Sequence, residues 1–69
     1  MFNYEKLIVK ILCYGFKKLC KKSSIPLIRL IEILDGDKYF SIDEIDRISR
    51  VLGIKSLEKE YYFFMPKVD

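Results

Sequence analysis

The chain has 69 residues, of which 51% are hydrophobic, 33% charged and 14% aromatic, the make-up of one compact domain near the lower size at which a single core is self-sufficient. Multidomain enzymes are excluded at this length. A chain with no histidine also lacks the usual general base, the usual zinc nitrogen ligand and the side chain that titrates near neutrality.

Thirteen Lys and Arg against ten Asp and Glu leave a net charge of +3, a mild excess that permits an acidic partner without demanding one. The charge is uneven. Lys17, Lys18, Lys21 and Lys22 form one basic cluster, and Asp35, Asp37, Asp43, Glu44 and Asp46 form an acidic stretch downstream. Two cysteines, Cys13 and Cys20, cannot staple a disulfide-dense secreted scaffold, and no apolar N-terminal run precedes a small-residue cleavage site, so reduced cytoplasmic thiols are expected. Charges interrupt every apolar segment before the roughly 18 residues that a membrane span needs. A soluble protein with no membrane partner is therefore expected.

In chain order, Leu7, Ile8, Ile11 and Leu12 fall on one helical stripe, which predicts a first helix from Tyr4 to Cys13. Tyr14 and Gly15 interrupt it. Phe16, Leu19 and Cys20 recur at helical spacing among the lysines and predict a short second helix ending near Lys22. Ser23 or Ser24 can cap a third helix, and Pro26 suits its first turn, so that helix is predicted from Pro26 to Leu34, closed by Asp35 and Gly36. The next start signal is the clearest in the chain: Ser41 and Glu44 form a capping box ahead of Ile45, Ile48, Val51 and Leu52 on one face. Asp43 with Arg47 and Asp46 with Arg50 are acid-before-base pairs on the opposite, solvated face, and Gly53 ends this fourth helix. Ser56, Glu58 and Glu60 open a short fifth helix through Tyr61 to Phe64, which Pro66 stops.

Five short helices with a tight turn between the second and third resemble the lambda-repressor-like helix-turn-helix family, of Cro and repressor type. The resemblance lies in FKKLCKKSSIPLIRLIEILDGDKYFSIDEIDRISRVLGI, from Phe16 to Ile54. Leu19 and Cys20 match the apolar-plus-small pair of helix two, Ile25 matches the apolar residue of the turn, and Leu30 and Leu34 match buried positions of the recognition helix. The Asp35-Gly36 terminus, the capped EIDRISRVLGI helix and the ending EYYFF resemble small phage-encoded regulators in particular. The resemblance implies an all-α, five-helix domain over residues 1–69, working in the cytoplasm of a bacterial host cell.

The family reads base edges with polar side chains at the start of helix two and early in helix three. Here those positions hold Phe16, Pro26, Leu27, Ile28, Ile31 and Glu32. The five apolar ones cannot hydrogen-bond a base, and Glu32 faces a polyanion. Ile28 lies far from the Leu30 and Leu34 stripe and is expected in solvent, whereas Leu27 and Ile31 are either core or exposed. A helix apolar nearly all round points to a second burial surface, a partner protein or a second copy in a homodimer. The reading adopted is a regulator whose Phe16, Leu27, Ile28, Ile31 and Glu32 dock on a phage or host regulatory protein, as an antirepressor or inhibitor. The alternative is a repressor of double-stranded DNA, with Lys17, Lys18, Lys21, Lys22 and Arg29 on phosphates; the same lysines also fit a merely solvated helix face.

Counting back from Glu44 as the last position of a calcium loop puts Asp35, Asp37, Tyr39 and Ser41 at ligand positions. However, Ile33 stands where the first carboxylate belongs, and Lys38 where the turn needs glycine. No cation site is expected there. Cys13 and Cys20 have too few companions for zinc, and no phosphate loop or nucleophile with its base is present, so neither a cofactor nor an enzymatic activity is expected. Of Tyr61, Tyr62, Phe63 and Phe64, two must point outward while the others cover the core.

Overall fold

Apolar residues recurring every three or four positions can meet in one core only if the segments coil, and all the regular structure that results is helical. The computed structural model describes residues 2–67 and runs α1 Glu5–Tyr14, α2 Phe16–Ser23, α3 Leu27–Leu34, α4 Ile42–Leu52 and α5 Lys59–Phe63. A 3₁₀ turn at Ser56–Glu58 leads into α5. The protein is all-α. An isolated bridge joins Phe2 and Pro66, where the Asn3 N–H donates to the Met65 carbonyl at 2.7 Å. Among the described residues no helix is long and apolar enough to cross a membrane.

Helix α2 sits centrally and packs on α1, α3 and α4. Leu7, Ile11, Leu19, Leu30, Ile33, Ile45, Ile48 and Phe63 are buried together, with Tyr4, Ile25 and Ile54 added from connecting segments. Burying Ile25 in the three-residue turn between α2 and α3 fixes how those helices meet. Leu12 departs from the predicted stripe and is exposed. At 3.6 residues per turn it lies about 100° around α1 from Ile11, and Tyr4 fills the core in its place.

The helix ends explain most of the boundaries. Asn3 Oδ1 accepts the Glu5 N–H at 2.9 Å and starts α1. Gly15, at φ +114°, turns the chain between α1 and α2 in a conformation that a side chain rarely adopts. The expected serine cap of α3 is not formed. Ser23 is buried and its hydroxyl donates back to the Leu19 carbonyl at 2.6 Å, Ser24 takes a left-handed φ of +60°, and α3 begins after Pro26 without a side-chain cap. A buried hydroxyl is stabilised by a partner, and the carbonyl one turn back supplies it here. The fifth helix also starts otherwise than by Ser56: the Glu58 carboxylate accepts the Lys55 N–H at 3.0 Å.

The α4 capping box forms in full, with Ser41 Oγ accepting the Glu44 N–H at 3.1 Å and the Glu44 carboxylate accepting the Ser41 N–H at 2.8 Å. Ser41→Ala is expected to cost about 1 kcal/mol, the usual magnitude of a lost cap, read as a shift in the urea midpoint. Both predicted pairs on α4 are present, Asp43–Arg47 and Asp46–Arg50, each at 2.9 Å. Arg47 is not on a purely solvated face, since its Nη1 also donates to the Ser23 carbonyl at 2.8 Å. That contact places a cation at the carbonyl end of α2, where the helix dipole favours it.

Candidate functional site

Helix α3 turns Leu30 and Ile33 into the core, and this fixes where its other aliphatic side chains go. Ile28 is 74% exposed, Ile31 46% and Leu27 36%. All three keep substantial apolar surface in water. Removing such surface from water is favourable by about 25 cal/mol per Å². Phe16 is half-buried and packs against the core from the first position of α2. Glu32 is half-buried, and its carboxylate lies 3.4 Å from the Lys38 ammonium. The charge of Glu32 is thereby partly offset within the domain.

The basic residues divide into two kinds. Lys17, Lys21 and Lys22 are exposed. Lys18 is also exposed and sits 4.5 Å from the centre of the Tyr14 ring. Arg29 is engaged: its guanidinium grips the Glu44 carboxylate with two donors, Nη2 to Oε1 at 2.8 Å and Nε to Oε2, and Nη2 also donates to the Tyr39 carbonyl at 3.3 Å. The Arg29 guanidinium beside Glu44 holds that carboxyl down to about 2, helped by the Ser41 N–H and opposed by burial. This pair joins α3 to α4 and closes over the capping box. Arg29 is therefore a strut beneath the α3 face, while Lys17, Lys21 and Lys22 of α2 are exposed to solvent.

Glu44 uses both carboxylate oxygens on Arg29 and Ser41, so the last position of the 35–44 segment has no free oxygen pair for a cation. Among the described residues no group of His, Cys, Asp and Glu is placed to hold a metal ion. Millimolar calcium is expected to leave the melting temperature unchanged, whereas a bound ion would raise it by mass action. A saturable rise that vanishes in Asp35→Ala would contradict this. Cys13 is exposed, and Cys20 is half-buried with burial pushing its thiol pKa up.

Three features have no counterpart in the sequence reading. Ile42 and Leu57 stand almost wholly in solvent, and α1 and α5 enclose a groove lined by Lys6, Lys10, Tyr61 and Tyr62. The groove left one trace in the sequence, Lys6 and Lys10 four apart beside an apolar Val9 that lies off the core stripe. The last aromatic run behaves as expected, with Phe63 buried, Tyr62 half-buried and Tyr61 and Phe64 outward. Compared with family models, with curated proteins and with solved structures, the chain matches none.

Proposed function

We propose that the chain is a regulatory domain of the lambda-repressor-like helix-turn-helix class that works by binding another protein through the exposed face of α3. Leu27, Ile28 and Ile31, flanked by Phe16 and Glu32, dock on an apolar surface of a phage or host regulatory protein and block it by occupation, as an antirepressor or inhibitor does. The observation that carries this reading is Ile28, 74% exposed on a helix whose early positions are apolar except for Arg29, which Glu44 already holds. The exposed lysines of α2 suit a partner whose apolar surface has an acidic rim.

The same lysines support a second reading, in which the domain grips duplex DNA by its phosphates. Arg29 contributes less to that reading because Glu44 already holds it. The two readings separate in a titration of labelled duplex DNA at physiological salt. No sequence-specific complex is expected. A specific complex of nanomolar affinity formed by this protein alone overturns the proposal.

A further inference from the structure

A second surface shares no residue with the α3 face. Where α1 and α5 pack together, a groove of about 670 Å³ opens, lined among others by Lys6, Val9, Lys10, Tyr61 and Tyr62. Val9 is 58% exposed and Tyr61 45%, so the groove keeps apolar surface in water. That surface continues past the groove: Tyr61 and Met65 also line a neighbouring recess of about 280 Å³ with Leu57 and Phe64, both of them exposed. An open strip of this kind suits a chain segment, whereas a small ligand is enclosed over most of its surface.

Much of the positive charge is answered within the fold. Arg29, Lys38, Arg47, Arg50 and Lys59 each have a carboxylate of this chain within 3.5 Å. Lys6 and Lys10 have none among the described residues and rest on rings instead. The Lys6 ammonium is 3.7 Å from the Tyr61 ring centre and donates to the Tyr61 hydroxyl, and the Lys10 ammonium is 5.4 Å from the Tyr62 ring centre. The two rings meet edge to face at 5.5 Å. A ring positions an ammonium without cancelling its charge. Glu5 is the acidic residue of the lining, so the two ammonium groups outnumber it and the groove keeps an excess of positive charge beside its apolar surface.

We propose that this groove docks an acidic amphipathic helix of another protein, with the aliphatic side chains of that helix on Val9 and Tyr61 and its carboxylates on Lys6 and Lys10. Charge complementarity selects the occupant. Lys6 and Lys10 leave α1 one turn apart, about 6 Å along its axis, so carboxylates at positions i and i+4 of the incoming helix meet both at once. Helix α1 has ten residues, an edge of about 15 Å along which nearly three turns of a partner helix can lie. The strip is small and its ion pairs stay near solvent, which makes the association micromolar rather than nanomolar.

Amide shifts of the nitrogen-15-labelled full chain test the proposal, in a titration with a helical peptide that carries Leu on one face and Glu at every fourth flanking position. Saturable shifts are expected at α1 and α5, with a micromolar dissociation constant that rises as salt is added. The same peptide with Lys in place of each Glu is expected not to bind. Lys6→Glu with Lys10→Glu is expected to weaken binding about tenfold. Val9→Asp, at an exposed position outside the core, is expected to weaken it by a similar factor, and Ile28→Asp to leave it unchanged. No saturable shift at millimolar peptide overturns the proposal, as do equal affinity for the Lys peptide, unchanged affinity after the lysine reversal, or shifts centred on Lys17 and Lys21. Duplex DNA or dodecanoate that shifts the α1 and α5 amides at lower concentration than the peptide also overturns it, and so do shifts there that grow with protein concentration alone, the mark of a second copy. None of these outcomes bears on the α3 proposal, because only the Ile28→Asp control touches its docking face.

Discussion

Glu44→Ala is expected to cost about 2 kcal/mol, because it removes at once the helix cap and the acceptor of a part-buried ion pair whose Arg29 side stays open to solvent. A domain of this size has roughly 3–10 kcal/mol in total, so the variant is expected to be largely unfolded at modest urea concentrations. The loss has several sources. The Glu44 carboxylate accepts from two donors of Arg29 and from the Ser41 N–H, and all three lose their acceptor together. Glu44→Gln keeps an acceptor oxygen for the cap and fills the same volume, and is expected to lose about half as much.

The same pair sets the acid limit of the fold. Glu44 has its carboxyl lowered to about 2 in the folded protein, against about 4.3 in an unfolded chain. The unfolded state therefore takes up the proton first, which means the stabilisation is complete above about pH 4.5 and disappears as pH falls toward 2. Urea midpoints measured across that window are expected to fall steeply in the wild type and less steeply in Glu44→Gln. Equal slopes in the two proteins would show that Glu44 does not lock α3 to α4.

Ile28→Asp carries the other large effect. Ile28 is outside the core, so the substitution is expected to leave the circular dichroism and the melting temperature nearly unchanged. If the α3 face is covered by a partner, the new carboxylate is buried without a counter-charge, and affinity for that partner is expected to drop by several kcal/mol. Lys17→Ala and Lys21→Ala remove only rim charges, and each is expected to cost under about 1 kcal/mol. Phosphate binding predicts the reverse order. There each lysine lost lowers affinity across all sequences and reduces the salt slope by about one. One set of variants in one binding assay thus ranks the two readings oppositely.

Local chemistry was legible in the sequence and distant pairing was not. The Ser41–Glu44 box, the i,i+4 pairs of α4 and the burial of Leu30 and Ile48 follow from spacing alone, since each depends on residues within a turn or two. The exposure of Ile28 follows in the same way from its angle around α3. Arg29 and Glu44 are fifteen residues apart, and nothing in their spacing links them. Glu44 therefore read as a cap and a loop carboxylate without an ion-pair partner, and Arg29 as a free cation. The cap of α3 was misassigned for a related reason: a serine before a helix can bond forward or back, and burial of Ser23 decided in favour of the Leu19 carbonyl. The α1–α5 groove depends on where the last helix packs, which no short pattern encodes.

The central claim is that the aliphatic face of α3 is covered by a protein. Photocrosslinking in cells tests it most directly, with a photoreactive amino acid placed at position 28 and, as a control, at the exposed position of Lys55. A discrete protein adduct is expected from position 28 only, and is expected to vanish when Leu27→Asp and Ile31→Asp are added to the same chain. Adducts to DNA alone from position 28, or the same pattern of products from both positions, would contradict the claim.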